Sequence, residues 1–167
     1  MPSTLDAIRR ADELSVYQQV SRMATLIDTR LIPRLRRHGA LDSAARLYRA
    51  SRMVAPLIAV GFTRRRRLLG CQPFLYQAIE ACHHTIAELS RSRDMFRRAA
   101  PDDDTHELLV DAYDAAIHQL YRLIDLWTAQ RQRAPGPHRA GMGTLARLLG
   151  TPRTSPDEGG PLHVHAD

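Results

Sequence analysis

Glu80-Ala81-Cys82-His83 carries the Glu-x-x-His spacing with which helices of a bundle hold a pair of metal ions. Such a centre needs two copies of the motif and two further carboxylates, all pointing inward. Here Glu80 and His83 flank an apolar stripe on a helical wheel and His84 lies opposite it, so no metal site is expected. Arg133 and His138 match an Arg-x4-His pattern in which arginine holds a phosphate and histidine serves as acid or base. The intervening Ala-Pro-Gly-Pro cannot form a helix interior, which removes the geometry that pattern needs. No Gly-x-Ser-x-Gly elbow supports a serine nucleophile, and His163 and His165 stand in a Pro/Gly-rich segment. The sequence therefore points away from catalysis and from any cofactor.

The remaining chemistry lies in arginine. All 24 basic residues are arginine and the formal net charge is +6. Codon bias and a requirement for arginine's bidentate phosphate chemistry would both remove lysine, and composition does not separate them. Position says more. Arg30 to Arg67 holds eleven arginines against the single acid Asp42, whereas Pro101 to Gln130 holds one arginine, Arg122, against seven acids. Three groups form candidate contacts for nucleic acid or an acidic partner: Arg34, Arg36 and Arg37; Arg46, Arg49 and Arg52; and Arg64, Arg65, Arg66 and Arg67. Phosphate contact is the expectation, and base stacking is not.

The elements that place these residues follow from periodicity. A first helix is predicted to begin within Ser3 to Asp12 and to run to about Leu31, with Leu14, Tyr17, Val20, Ala24, Ile27 and Leu31 as its stripe. Pro33 should end or kink it, and Gly39 should close a basic last turn. A second helix should start with Asp42 or Ser43 as N-cap and bury Ala44, Leu47, Ser51, Val54 and Ile58. Arg46, Arg49 and Arg52 then fall outward. Pro56 should bend this helix before Gly61 ends it, and Thr63 to Gly70 should form a loop. A third helix from Pro73 to about Arg98 buries Leu75, Ile79, Cys82, Ile86, Leu89 and Phe96. A fourth, capped by Asp103, Asp104 or Thr105, buries Leu109, Tyr113, Ala116, Leu120, Ile124 and Trp127. Its outer face carries Glu107, Asp111, Asp114, His118 and Asp125, and the four acids are candidates for an oligomer contact with the basic face of a second copy.

The expected architecture is an all-α, antiparallel up-down four-helix bundle over residues 1–133, followed by a disordered Pro/Gly/His-containing tail over 134–167, in which Met142 to Leu149 is a candidate docking stretch. Neither cysteine, Cys71 nor Cys82, is needed to hold a chain of this length together, and both are expected to be free thiols. The start of the chain does not read as a signal peptide, and no apolar run approaches the roughly 20 residues of a membrane span. A cytoplasmic location and no membrane contact are the expectations.

Val16-Tyr17-Gln18-Gln19-Val20, Ile32-Pro33-Arg34, Arg37-His38-Gly39 and Val60-Gly61, together with the helix lengths, resemble the accessory variability protein (Avd) of diversity-generating retroelements over about Ser15 to Arg133. Four-helix proteins encoded in ribosomal RNA intervening sequences look similar too. The resemblance implies a non-catalytic homo-oligomeric ring, pentameric in that family, that binds a reverse transcriptase and its template RNA to support mutagenic cDNA synthesis. The alternative is a protein-interaction adaptor whose basic face docks a protein and has no physiological nucleic-acid ligand.

Overall fold

The computed structural model describes residues 8–66, 70–97 and 104–133, with no account of the side chains of 95–97 and 133. All regular structure among them is helical. After a short 3-10 turn at Ala11–Glu13 come α1 (Ser15–Leu26), a π turn (Ile27–Leu31), α2 (Ile32–Arg37), α3 (Leu41–Arg64), α4 (Gln72–Arg97) and α5 (Thr105–Arg133). α1, the π turn and α2 run on as one rod, because the flanking Leu26, Ile27, Leu31 and Ile32 all keep right-handed helical dihedrals. Four rods result.

Side-chain contacts between the rods fix the topology. α3 and α4 meet at Arg46 and Glu88 and again at Gly61 and Leu75. The first rod meets α3 through Asp28 of the π turn and Arg52, and past the far end of α3 the Arg65 guanidinium donates to the Ile8 carbonyl ahead of α1. α4 meets α5 at Gln72 and Thr128 and at Arg93 and Glu107. α5 returns to α1 through a glutamine pair: Gln119 Nε2 donates to Gln19 Oε1 at 2.9 Å, and Gln19 Nε2 donates to the Ala112 carbonyl at 2.9 Å. Sequence neighbours are thus antiparallel, and the four rods close into an up-down bundle.

The apolar stripes make the core as their periodicity requires. Leu14, Val20, Ala24, Ile27 and Leu31 are buried, and so are Ala44, Leu47, Ser51, Val54 and Ile58 of α3 and all six stripe residues of α5. Leu75, Ile79, Cys82 and Leu89 of α4 are buried, while Tyr17 and Ile86 are half-buried against the core. Burial in the interior accounts for both thiols: Cys71 and Cys82 are free and fully enclosed.

Several boundaries differ from the sequence reading, each for a physical reason. The first helix begins at Ser15 and does not stop at Pro33. Proline has no N–H, and its ring crowds the carbonyl four residues back. The π turn just before it, in which the Ile32 N–H reaches the Ile27 carbonyl, adds the residue that lets the rod continue to Arg37. Gly39 closes α2 at φ +76°: its N–H bonds the Arg36 carbonyl and the Ala40 N–H bonds the Leu35 carbonyl, the paired bonds of a glycine C-terminal cap. α3 starts at Leu41 without a side-chain cap, so neither Asp42 nor Ser43 is its N-cap. Gly61 does not end α3. A Cβ there would stand 3.0 Å from Leu75 Cδ2, so glycine serves the close approach of α4, and the helix runs on to Arg64. Thr63 and Arg64 are therefore helical rather than part of a loop. α5 begins at Thr105, with the Leu108 N–H bonding the Asp104 carbonyl. The Phe96 side chain, Asp103, Arg67 and the tail lie outside the described residues.

Candidate nucleic-acid and partner interface

The three arginine groups sit in different settings. Arg36 and Arg37 are exposed on the last turn of α2, where positive charge also complements the helix dipole; Arg34 beside them is half-buried. On α3, the core stripe points one way and Arg49 points almost directly opposite, with its Nε bonded, among the described residues, to the Ala45 carbonyl of its own helix at 3.3 Å. Arg46 and Arg52 lie about 120° around the helix on either flank, at roughly 100° per residue. Each flank meets an acid from a neighbouring rod. Arg46 Nε bonds Glu88 Oε1 at 3.1 Å, and Glu88 also holds Arg91. Arg52 pairs with Asp28, a hydrogen bond that raises the guanidinium pKa further. All three are exposed, as their outward placement on the helix requires, and Arg49 alone of them engages no carboxylate among the described residues.

The third group gathers at the other end of α3. Arg65 lies over the Phe62 ring at 3.6 Å and donates to the Phe62 carbonyl at 2.8 Å; burial, with Arg66 beside it, lowers its pKa. Arg64 stands 4.7 Å over the Phe74 ring. Arg66 is exposed. Arg65 is therefore a packed residue, while Arg64 and Arg66 face solvent.

Charge reverses on α5. Glu107, Asp111, Asp114, His118 and Asp125 are all exposed. Glu107 pairs with Arg93, and Asp114 lies 3.5 Å from His118. Asp111 and Asp125 engage no cation among the described residues. Glu80, His83 and His84 are exposed on α4, and among the described residues no three His, Cys, Asp or Glu side chains come together to hold a metal. No described helix is long and apolar enough to cross a membrane.

Three participants escape the sequence reading. Asp28 and Glu88 belong to rods remote in sequence from the arginines they bind, and no local pattern marks them. Tyr48 was legible, since it stands between Arg46 and Arg49. It is 44% exposed, with the Arg52 guanidinium 5.6 Å from its ring, so an aromatic face is present among the arginines. Stacking on this side is chemically available, a correction to the expectation of phosphate contact alone.

No protein-family model, curated protein or solved structure matches this chain.

Proposed function

We propose that this chain is a non-catalytic, cytoplasmic accessory protein of a retroelement that binds RNA and a reverse transcriptase to support mutagenic cDNA synthesis, assembled as a ring of copies. One observation carries the RNA part: Arg36, Arg37, Arg49, Arg64 and Arg66 are exposed along the α2–α3 side and engage no carboxylate among the described residues. A helix the length of α3 spans roughly 36 Å at 1.5 Å per residue, enough to follow several phosphates. The partner and the retroelement setting rest on the sequence resemblance. Unpaired Asp111 and Asp125 on α5, against unpaired Arg49 on α3, favour head-to-tail contact between copies, with charge setting orientation and register.

Size-exclusion chromatography with light scattering, alone and with a structured RNA of about 100 nucleotides, tests this reading. A ring-sized oligomer that shifts with RNA at low salt and not at high salt is expected. A monomer indifferent to RNA contradicts it. A second reading, the protein-docking adaptor, is favoured by the ion pairs at Arg46 and Arg52, which remove two of the four α3 arginines from ready phosphate contact.

A further inference from the structure

The outer seam between α3 and α4 is not filled. Ala50 and Ala81 are too small to close it, and a groove of about 610 Å3 opens between the rods. Met53 and Leu57 line its α3 side, and Met53 is 53% exposed. The α3 rim carries Arg49 and the α4 rim carries Glu80, opposite charges that engage no ionic partner among the described residues. The Arg46–Glu88 pair bounds one end. There Glu88 is 7% exposed, and its Oε2 has no hydrogen-bond partner. From Arg46 to Leu57 the groove runs roughly 16 Å at 1.5 Å per residue, about three helical turns.

We infer that this groove receives an amphipathic helix of a partner protein, one with an apolar stripe bordered by acid on one edge and base on the other. The apolar floor takes side chains at i, i+3 or i+4 and i+7, which a helix presents and an RNA backbone does not. Methionine at the rim adapts to the shape of what packs on it. Opposed rims select a helix with opposed edges: the acidic edge lies along Arg49 and the basic edge along Glu80. Desolvated against the floor, such charges act mainly as selectivity, because an edge of the wrong sign faces a like charge. Arg49 belongs both to this rim and to the exposed arginines read as RNA contacts, but Arg36, Arg37, Arg64 and Arg66 lie outside the groove, so RNA binding through those four can be scored separately.

Three fluorescent helical peptides of about 15 residues test it against the full chain by anisotropy. All carry leucine on the same stripe; one has a glutamate edge and a lysine edge, one two lysine edges, one two glutamate edges. End-for-end reversal exchanges the edges of a helix in a groove, so the three compositions, rather than a mirrored pair, isolate the rims. The mixed-edge peptide is expected to bind at least about tenfold more tightly than either other. Arg49→Glu, which makes both rims acidic, should transfer the preference to the two-lysine peptide, and Met53→Lys should weaken all three. Both positions are exposed, so unchanged helicity by circular dichroism confirms the fold. No binding, equal binding of the three, or a preference indifferent to Arg49→Glu overturns the inference. Complete displacement of the mixed-edge peptide by a uridine 20-mer also overturns it, because the groove would then be a nucleic-acid surface. RNA retention by wild-type protein in any of these outcomes leaves the RNA reading intact.

Discussion

α3 and α5 share an inner plan and differ outside. Each buries an apolar stripe at helical spacing, Ala44, Leu47, Val54 and Ile58 on one and Leu109, Leu120, Ile124 and Trp127 on the other. Outside, α3 shows arginine and α5 shows aspartate. On α3, Arg46 and Arg52 are tied to Glu88 and Asp28 of other rods; on α5, Glu107 is tied to Arg93 and Asp114 lies beside His118, while Asp111 and Asp125 have no cation partner among the described residues. The charge a face contains is thus not the charge it offers. A count overstates both sides: among these charges Arg49 stays unpaired on the middle of α3, and Asp111 and Asp125 on α5, among the described residues.

The inner likeness should give the largest effects. Leu47→Ala and Leu120→Ala should each cost about 2–5 kcal/mol in chemical denaturation, the range for a buried leucine replaced by alanine. A much smaller cost on one helix would break the likeness.

Alkaline pH should separate the two helices. α3 places no titratable side chain in the core, but α5 places Tyr113 there, and α4 places Cys82. Burial pushes the Cys82 thiol up to about 12, and burial also raises the Tyr113 pKa. The folded chain therefore keeps protons that the unfolded chain loses from about pH 8.5 for a thiol and about 10 for a phenol. This contribution is fully present below pH 8.5 and is lost progressively as pH rises toward 12. Tyr113→Phe should reduce the alkaline loss, measured as Tm against pH; an unaltered profile contradicts the assignment.

On the outer faces the expected effects are smaller. Arg52→Gln should lower Tm because it strands the Asp28 carboxylate, while Arg49→Gln should leave Tm unchanged and weaken RNA retention. Equal Tm shifts would erase the distinction between tied and untied arginines. Charge reversal at Asp111 and Asp114 should weaken oligomer assembly, read by light scattering. An oligomer of unchanged size would contradict the ring contact on α5. Tyr113→Phe at neutral pH should stabilise the chain by about 1 kcal/mol, because it removes a hydroxyl buried without a hydrogen-bond partner among the described residues.

The core was the most legible part of this chain, because a stripe such as Leu109, Tyr113, Ala116, Leu120, Ile124 and Trp127 is a local pattern that only one helical face satisfies. Pro33 and Gly61 misled for a shared reason. Both are helix breakers by local propensity, and both are accommodated by something propensity does not contain: a π turn in one case and the approach of Leu75 in the other. The candidate site was legible as a set of arginines and illegible as an arrangement. Asp28 and Glu88 pair across rods, and periodicity on α3 alone places Arg46 and Arg52 outward without saying what meets them.

Salt dependence of RNA affinity, compared between wild type and an Arg36→Gln/Arg37→Gln/Arg49→Gln variant, tests most directly whether the exposed arginines are the ones that bind. Each phosphate contact to single-stranded RNA contributes roughly −0.7 to the slope of log K against log salt, so the account predicts a slope shallower by about 2 in the variant. An unchanged slope, or an equal change on removing the paired Arg46 and Arg52 instead, would contradict it.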